Sequence, residues 1–515
     1  MEAALNPKAV TERSPLVGLA LLLGAALALR LIFFGGLLAE DDALYWGAAQ
    51  GLRAGDYARG GPAYATRHGL VLPLALAQAW FGETERAAAL VSLTYSLAQL
   101  VLAYALGRLY GGAAIALTAT ALLAILPLDV VAATDLHRDL PLAVWLAAAF
   151  YGVKRGEMSV RRSGVWFLLA GLALGIAYVT KETALVFIFV LLLRTWWFGT
   201  GRQGYPWLAT SFLTVFVADV VWFWSATGLP FYRYSSPVLS QYRSEGALLS
   251  VPSYTWMAGY PALLLSPLSG GFPYFAGIFL LVVAALVWGR RSPDVQELFF
   301  WWCPFLVVLC VLPLDLSLTR PAAPHFPRYL HPLLVPFVLT VAIWLRGGLA
   351  RRPAWRAAIL AIFSALALGG TWSANFDYRI WAAPARQAAP LIARLPPEMV
   401  VATDGTSAWL LRALAPRTRE RVISYVGLDL DSPRSLLVLR DPAFLPIELR
   451  YGRRVPPAVA SPPPEWERVA EFIRPSRPGL RSLVLAWLRG GNVAAAKPTM
   501  EPVVLWRPHH ESRRR

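Results

Sequence analysis

Residues 16–45 read LVGLALLLGAALALRLIFFGGLLAEDDALY. The part from 16 to 38 is apolar except for Arg30, and a membrane-spanning helix needs about 20 such residues. It is longer than a typical signal-peptide core and lacks a clear cleavage site, so it predicts a first span. Glu40, Asp41 and Asp42 follow at once, then Tyr45. Carboxylates at a membrane face are partly desolvated, which raises their basicity and suits them to take a proton from an acceptor hydroxyl. The same aspartates would also serve as the N-cap of a helix through Tyr45, Trp46 and Ala49.

Outward from this stretch the pattern repeats. Further apolar runs cover 87–108, 111–128, 139–153, 164–179, 184–198, 207–227, 272–288, 297–313, 331–345 and 357–370. Read as one helix, 164–198 would be roughly 52 Å long against a hydrocarbon core of about 30 Å. A hairpin bent at Lys181 and Glu182 is the better reading. The fold class is therefore an α-helical polytopic membrane protein with about 11 transmembrane helices. Lys154, Arg155, Arg161 and Arg162 crowd one short loop, Arg346, Arg351, Arg352 and Arg356 another, and Arg290 and Arg291 a third. Parity puts all three on the side of the N-terminus, which the positive-inside rule makes cytoplasmic. The opposite loops are 39–86, 129–138, 180–183, 228–271 and 314–330.

The expected division is a transmembrane domain over 1–370 and a soluble extracytoplasmic domain over 371–515. In the latter, Met399 to Asp404 followed by Ser407 to Ala415 resembles a strand and then a helix. Leu436 to Leu439 and Leu483 to Leu488 are further apolar stretches, and Arg513 to Arg515 form a basic end. We expect a small α/β domain.

Composition agrees. Of 515 residues, 57% are hydrophobic and only 15% charged, where soluble chains carry roughly 25% charged residues. That excludes a disordered chain and argues against a soluble globular one. The net charge of +17 is read as basic membrane-flanking loops and sites for anionic lipid phosphate, with no nucleic-acid partner. Cys303 and Cys310 lie in one apolar run and could not pair without breaking a helix. No internal repeat of the inverted-repeat transporter kind is visible.

The remaining outer loops hold the other candidates. Asp129, Asp135, His137, Arg138 and Asp139 lie between two spans, with Pro141 suited to a first helical turn. Capping plus an Asp–Arg pair would explain them equally well. Lys181 and Glu182 interrupt an apolar hairpin, where charges face a cavity, each other or, by snorkelling, the interface. Arg30 is weighed in the same way. Arg328 stands at a membrane mouth, where its planar fork suits a phosphate, or lipid headgroups as an anchor. His68, His325 and His331 could join the carboxylates around a divalent metal, though their spacing is unspecific.

Taken in order, several of these pieces match a known pattern. Asp41-Asp42-Ala43-Leu44-Tyr45 fits D-[DE]-x-x-Y. Phe81-Gly82-Glu83 with Arg86 leads towards Gly107-Arg108-Leu109-Tyr110-Gly111. Arg138-Asp139-Leu140-Pro141 opens the fourth span. Tyr178-Val179-Thr180-Lys181-Glu182 fits Y-x-T-K-E, and Arg328-Tyr329-Leu330-His331-Pro332 fits R-Y-x-x-P. The chain resembles the GT-C membrane glycosyltransferases, in the branch of protein O-mannosyltransferases and the lipid A aminoarabinose transferase. The likeness covers about 16–200 well and 320–345 locally. It departs at Thr66-Arg67-His68-Gly69, where many relatives have Lys-Pro-Pro, and 228–271 matches nothing.

The resemblance implies a GT-C fold and transfer of a sugar from a polyprenyl-phosphate donor to a glycan, lipid or protein acceptor, with inversion. It implies Asp41 as base, with Asp42 and Asp139 completing the catalytic set. Lys181, Arg328, Arg138 and Tyr329 would hold the donor phosphate. Tyr45, Asp135, His137, Glu182 and His68 would face acceptor or sugar. No cofactor is required beyond a possible divalent metal. A flippase for polyprenyl-linked lipids, a non-catalytic scaffold and an oligosaccharide transferase are the competing readings.

Overall fold

The computed structural model describes residues 13–38, 41–56, 62–159, 161–235, 238, 259–265, 272–289, 292–311, 326–350, 352–426, 428, 435–445, 454–474 and 501–508. Glu40, His325, the basic residues 290, 291, 351 and 513–515, and the apolar stretch 483–488 fall outside them.

The first span forms helix α1 (Arg13–Ile32). It ends before the apolar run does, and 33–38 is an extended strap that leads into α2 (Asp41–Ala54). Short helices α3 (Pro62–Ala65) and α4 (His68–Phe81) complete the segment between the first two spans. Next comes α5 (Glu85–Ala124), which is broken by non-helical backbone at Gly111 and Gly112. Its halves fold back on each other: a Cβ on Gly107 would lie 2.5 Å from the Ala116 Cα. The expected separation into two spans follows from that break.

A short α6 (Pro127–Ala132) precedes α7 (Asp139–Met158), and α8 (Ser163–Thr180) and α9 (Leu185–Phe198) form the hairpin expected at Lys181. The bundle continues with α10 (Tyr205–Thr227), α11 (Gly259–Leu265), α12 (Phe272–Phe275), α13 (Ile278–Gly289), α14 (Pro293–Val311) and α15 (Leu334–Gly347). The run 272–288 is thus not one helix. Positive φ at Ala276 and Gly277 separates α12 from α13. A 3-10 turn over Pro327–Leu333 leads into α15. Among the described residues, seven helical stretches are long and apolar enough to cross a membrane. The chain is a multi-pass membrane protein. Leu146, Phe150, Phe187, Trp301 and Leu339 lie at the centre of the bundle, with Phe150 stacked on Trp301 at 4.3 Å.

Helix α16 (Pro353–Arg394) runs unbroken past residue 370 and hands the chain to a sheet. Strands β1 (Val400–Thr403), β2 (Val422–Ser424), β3 (Leu436–Arg440), β4 (Glu467–Phe472) and β5 (Val503–Arg507) form five strands in the order β2-β1-β3-β5-β4. The first three pair in parallel, with Val401 opposite Val422 and Leu437, and β5 is antiparallel to β3 and β4. The continuous apolar runs of β1 and β3 suit strands covered on both faces. One face carries Val401, Leu437 and Leu439, the other Ala402 and Val438. Helix α17 (Gly405–Leu414) is capped by Asp404, whose carboxylate accepts from Ser407 N at 2.7 Å. Sequence patterning found β1 and α17 and marked β3 only as an apolar stretch. Strands β2, β4 and β5 it missed: two are short or exposed, and their pairing is set by distant partners.

The two parts share a core. Tyr45, Trp46, Ala49, Leu70 and Leu74 of α2 and α4 pack in one cluster with Ala388 and Ile392 of α16, Leu411 of α17 and Leu437 of β3. The sheet domain therefore sits at the end of the bundle where α2 begins.

Candidate active site

Asp41 and Asp42 occupy the first turn of α2, where a helix N-terminus favours negative charge. Asp41 Oδ1 accepts from the Tyr64 hydroxyl at 2.7 Å, and its Oδ2 lies 2.8 Å from Arg328 Nη2. Burial opposes ionisation of Asp41, but Arg328, Arg138, His137 and Tyr64 together hold it well below the usual carboxylate range. Asp42 points away from this pair. Its Oδ2 accepts from Leu38 N at 2.7 Å.

The loop before α7 supplies the next residues. His137 Nε2 lies 2.6 Å from Asp135 Oδ2, and Arg328 Nη1 lies 3.3 Å from His137 Nδ1. A guanidinium only donates, so Nδ1 accepts and the proton of the neutral ring is on Nε2. Burial and Arg328 both lower the His137 pKa, which agrees with a neutral ring. Burial pushes Asp135 up to about 7, and burial with Asp135 alongside drives Asp42 well above the carboxylate range.

Asp42, Asp135 and His137 each offer a ligand atom, all within 4.8 Å of one another. No N–H among the described residues reaches Asp42 Oδ1 or Asp135 Oδ1. Two carboxylates and an imidazole suit a divalent cation such as Mn²⁺ or Zn²⁺. Of the histidines suggested from sequence, His68 and His331 take separate partners, and His325 lies outside the described residues. His68 pairs with Asp219 at 3.0 Å, while His331 lies 3.2 Å from Asp129 and joins the fully buried Arg30–Asp129 pair. Arg30 is thus committed inside the bundle, also donating to Ser96 at 2.7 Å.

At the hairpin bend Lys181 Nζ donates to Asp139 Oδ1 at 2.5 Å and lies 3.7 Å from the centre of the Tyr329 ring. Burial, opposed by Asp139 but reinforced by Arg138 and Arg328, brings Lys181 down to about 7. Between the Asp41–Arg328 and Asp139–Lys181 pairs stands Arg138. Tyr45, Tyr329, Asp139 and Asp41 supply its electrostatic surroundings. Yet its side chain makes no hydrogen bond or ion pair with any described residue. Tyr45 is fully buried, edge-on to Tyr64 at 5.0 Å.

Glu182 faces a neighbouring cluster. It pairs with Arg67 and, at 3.2 Å, with Arg233, which in turn lies 3.0 Å from Asp219. Burial is outweighed by those two arginines, which hold Glu182 down to about 2. His68 stacks on Phe223 at 4.8 Å and belongs to this group. His68 and Glu182 are therefore tied to each other through Asp219 and Arg233, one step removed from Asp41. Sequence reasoning missed Tyr64, Arg67, Asp219 and Arg233 as participants. A lone Asp219 in an apolar run was a usable signal. Arg233 lies in a stretch with no recognisable pattern, and nothing distinguished Tyr64.

Residues 71–224 match the family described as dolichyl-phosphate-mannose-protein mannosyltransferase. No curated protein matches the chain in sequence. Among solved structures, the apo state of ArnT from Cupriavidus metallidurans is similar, with 16% identity, TM-score 0.57, and 97% of this chain and 99% of that chain covered. The same ArnT bound to undecaprenyl phosphate gives 15% identity and TM-score 0.56, covering 95% and 98%. The archaeal oligosaccharyltransferase AglB from Archaeoglobus fulgidus, in complex with an inhibitory peptide and a dolichol-phosphate, gives 12% identity and TM-score 0.50, covering 79% of this chain and 64% of that one. The chain therefore has the fold of these solved structures, the GT-C fold expected from the sequence resemblance.

Proposed function

We propose that this protein is an integral-membrane glycosyltransferase that moves a sugar from a polyprenyl-phosphate donor to an acceptor hydroxyl with inversion. Arg138 carries the reading. An uncommitted guanidinium between two ion pairs, flanked by aromatic rings, is what an incoming phosphate needs. The ArnT and AglB structures, with their undecaprenyl phosphate and dolichol-phosphate, support this class of donor.

The donor phosphate binds Arg138 and draws Arg328 and Lys181 from their carboxylates. That frees Asp41, which takes the proton of the acceptor hydroxyl as its oxygen attacks the anomeric carbon. The sugar–phosphate bond breaks on the opposite face, and its electrons pass to the phosphate oxygen held by the cations. Before the donor binds, Asp139 and Tyr329 hold Lys181 in position. Tyr45, Asp135, His137, Glu182 and His68 bound the acceptor and sugar side.

The chain lies across the cell membrane with its N-terminus cytoplasmic, and the sheet domain over 371–515 extracytoplasmic beside the transmembrane part over 1–370. This orientation is supported by the short basic loops around Lys154 and Arg346, at the bundle end away from Asp41.

The test supplies purified protein with a panel of radiolabelled polyprenyl-phosphate sugars and scores free polyprenyl phosphate and labelled acceptor. Asp41→Asn is expected to lower transfer by about 100-fold or more while still binding undecaprenyl phosphate. Arg138→Ala is expected to weaken that binding by about 10- to 100-fold, the loss of one charge-assisted hydrogen bond. Movement of labelled lipid across the bilayer with no transfer product would make the protein a flippase instead.

A divalent cation would be held by Asp42, Asp135 and His137. There it would supply positive charge beside the sugar. Chelation followed by re-addition of Mn²⁺ is expected to lower and restore both transfer and the thermal midpoint. If neither moves on chelation, these three residues hold no cation.

A further inference from the structure

The strap over 34–38 joins α1 to the helix that begins with Asp41, and side chains from elsewhere hold its backbone. Gly35 N donates to Thr134 Oγ1 at 3.0 Å, and Leu37 N to Glu85 Oε1 at 2.8 Å. Arg379 donates to Phe34 O at 2.6 and 3.0 Å. Arg386 Nη2 donates to Gly35 O at 3.0 Å and Leu37 O at 3.3 Å. Arg386 also binds Glu85 through both nitrogens, one of them at 2.9 Å. Backbone groups outside helix or sheet need partners of this kind when shielded from water. Here most of the donors come from one helix, α16, which leaves the membrane and leads to the sheet domain.

The fit leaves little slack. Gly36 has φ +70°, and a Cβ there would collide with Glu85 Oε1 and Arg386 Nη2. Only glycine meets both demands at this position. Glu85 itself stands at the start of α5, two residues after Glu83. Glu83 accepts from Gln50 of α2 at 2.6 Å and pairs with Arg419 of the sheet domain. The Glu83–Glu85 corner thus ties strap, α2, α16 and sheet domain at one point.

We propose that Arg386 and Glu85 are positioning residues of the transfer reaction: by gripping the strap from α16 and α5 they set where the Asp41 carboxylate stands. Neither touches Asp41, Arg328 or Arg138. The inference rests on Asp41 being the base. A displacement of about 1 Å in a reacting group far from the mutated residue can cost about 100-fold in rate.

The experiment compares Arg386→Ala and Glu85→Ala with the unmodified chain in three measurements: kcat and KM for the donor, the thermal shift given by undecaprenyl phosphate, and hydrogen exchange of the amides of 34–38. The expected result is faster exchange confined to the strap and its junction with α2, a kcat lower by about 10-fold or more, and a donor KM and phosphate-induced shift within about twofold of the unmodified chain. Unchanged kcat in both variants would overturn the proposal. So would loss of the phosphate-induced shift together with kcat, which marks a general structural role. An unmodified chain that transfers no sugar would overturn the reading of Asp41, and the exchange measurement would still decide separately whether Arg386 and Glu85 hold the strap.

Discussion

Asp41 and Lys181 respond to burial in opposite ways. Asp41 is surrounded by cations and stays ionised far below neutral pH. It therefore contributes no limb to a pH profile in the physiological range. Lys181 is buried against Asp139 with Arg138 and Arg328 nearby, and its pKa falls to about 7. A lysine is charged below its pKa and neutral above it. Its hold on a departing phosphate is present at acid pH and is lost as pH rises through about 7. We expect kcat/KM for the donor, which reports the donor-free enzyme, to decline over that window. Lys181→Arg, charged throughout, is expected to flatten the profile. A wild-type profile that is already flat would remove Lys181 from the charge balance of the reaction.

At the scale of elements, the site is assembled by helices fastened at both ends. Helix α7 begins with Asp139 and ends near Lys154 and Glu157, while α9 starts just beyond Lys181 and carries Arg194. At the far end Arg194 pairs with Glu157 at 2.6 Å and with Glu297 of α14, and Lys154 also pairs with Glu297. This staple keeps the two helices in register and so holds Asp139 beside Lys181. Removing one partner strands the others. Arg194→Met is expected to destabilise the fold by about 3–5 kcal/mol, because Glu157 loses its counter-charge and the buried Glu297 is left with Lys154 alone. Thermal unfolding in detergent measures the effect. Replacing Glu157 and Glu297 by glutamine in the same chain is expected to recover part of it.

For the molecule as a whole, the shared core decides how separable the sheet domain is. Trp46 and Leu74 are covered by residues of α16 and α17, not by lipid or bundle helices alone. Ending the chain after Arg394 would expose that apolar surface and release Glu83 from Arg419. We expect such a chain to lose both transfer activity and several degrees of thermal midpoint, measured in the same detergent. A truncated chain that transfers sugar normally would make the domain an independent appendage.

The span-length apolar runs, the carboxylates behind the first of them, and the Lys181 bend were written locally. Hydrophobic length and the cost of charge in lipid act residue by residue, so the sequence alone determined the membrane class and most of the site's charged groups. Pairing was another matter. That Arg328 would meet Asp41, that His137 would join Asp42 and Asp135 while His68 and His331 went elsewhere, and that Arg386 would grip the strap ahead of Asp41 depended on contacts between residues far apart in the chain. Those contacts exist only once the helices pack, because a side chain's electrostatic partner is chosen by distance in space and by the exclusion of water around it.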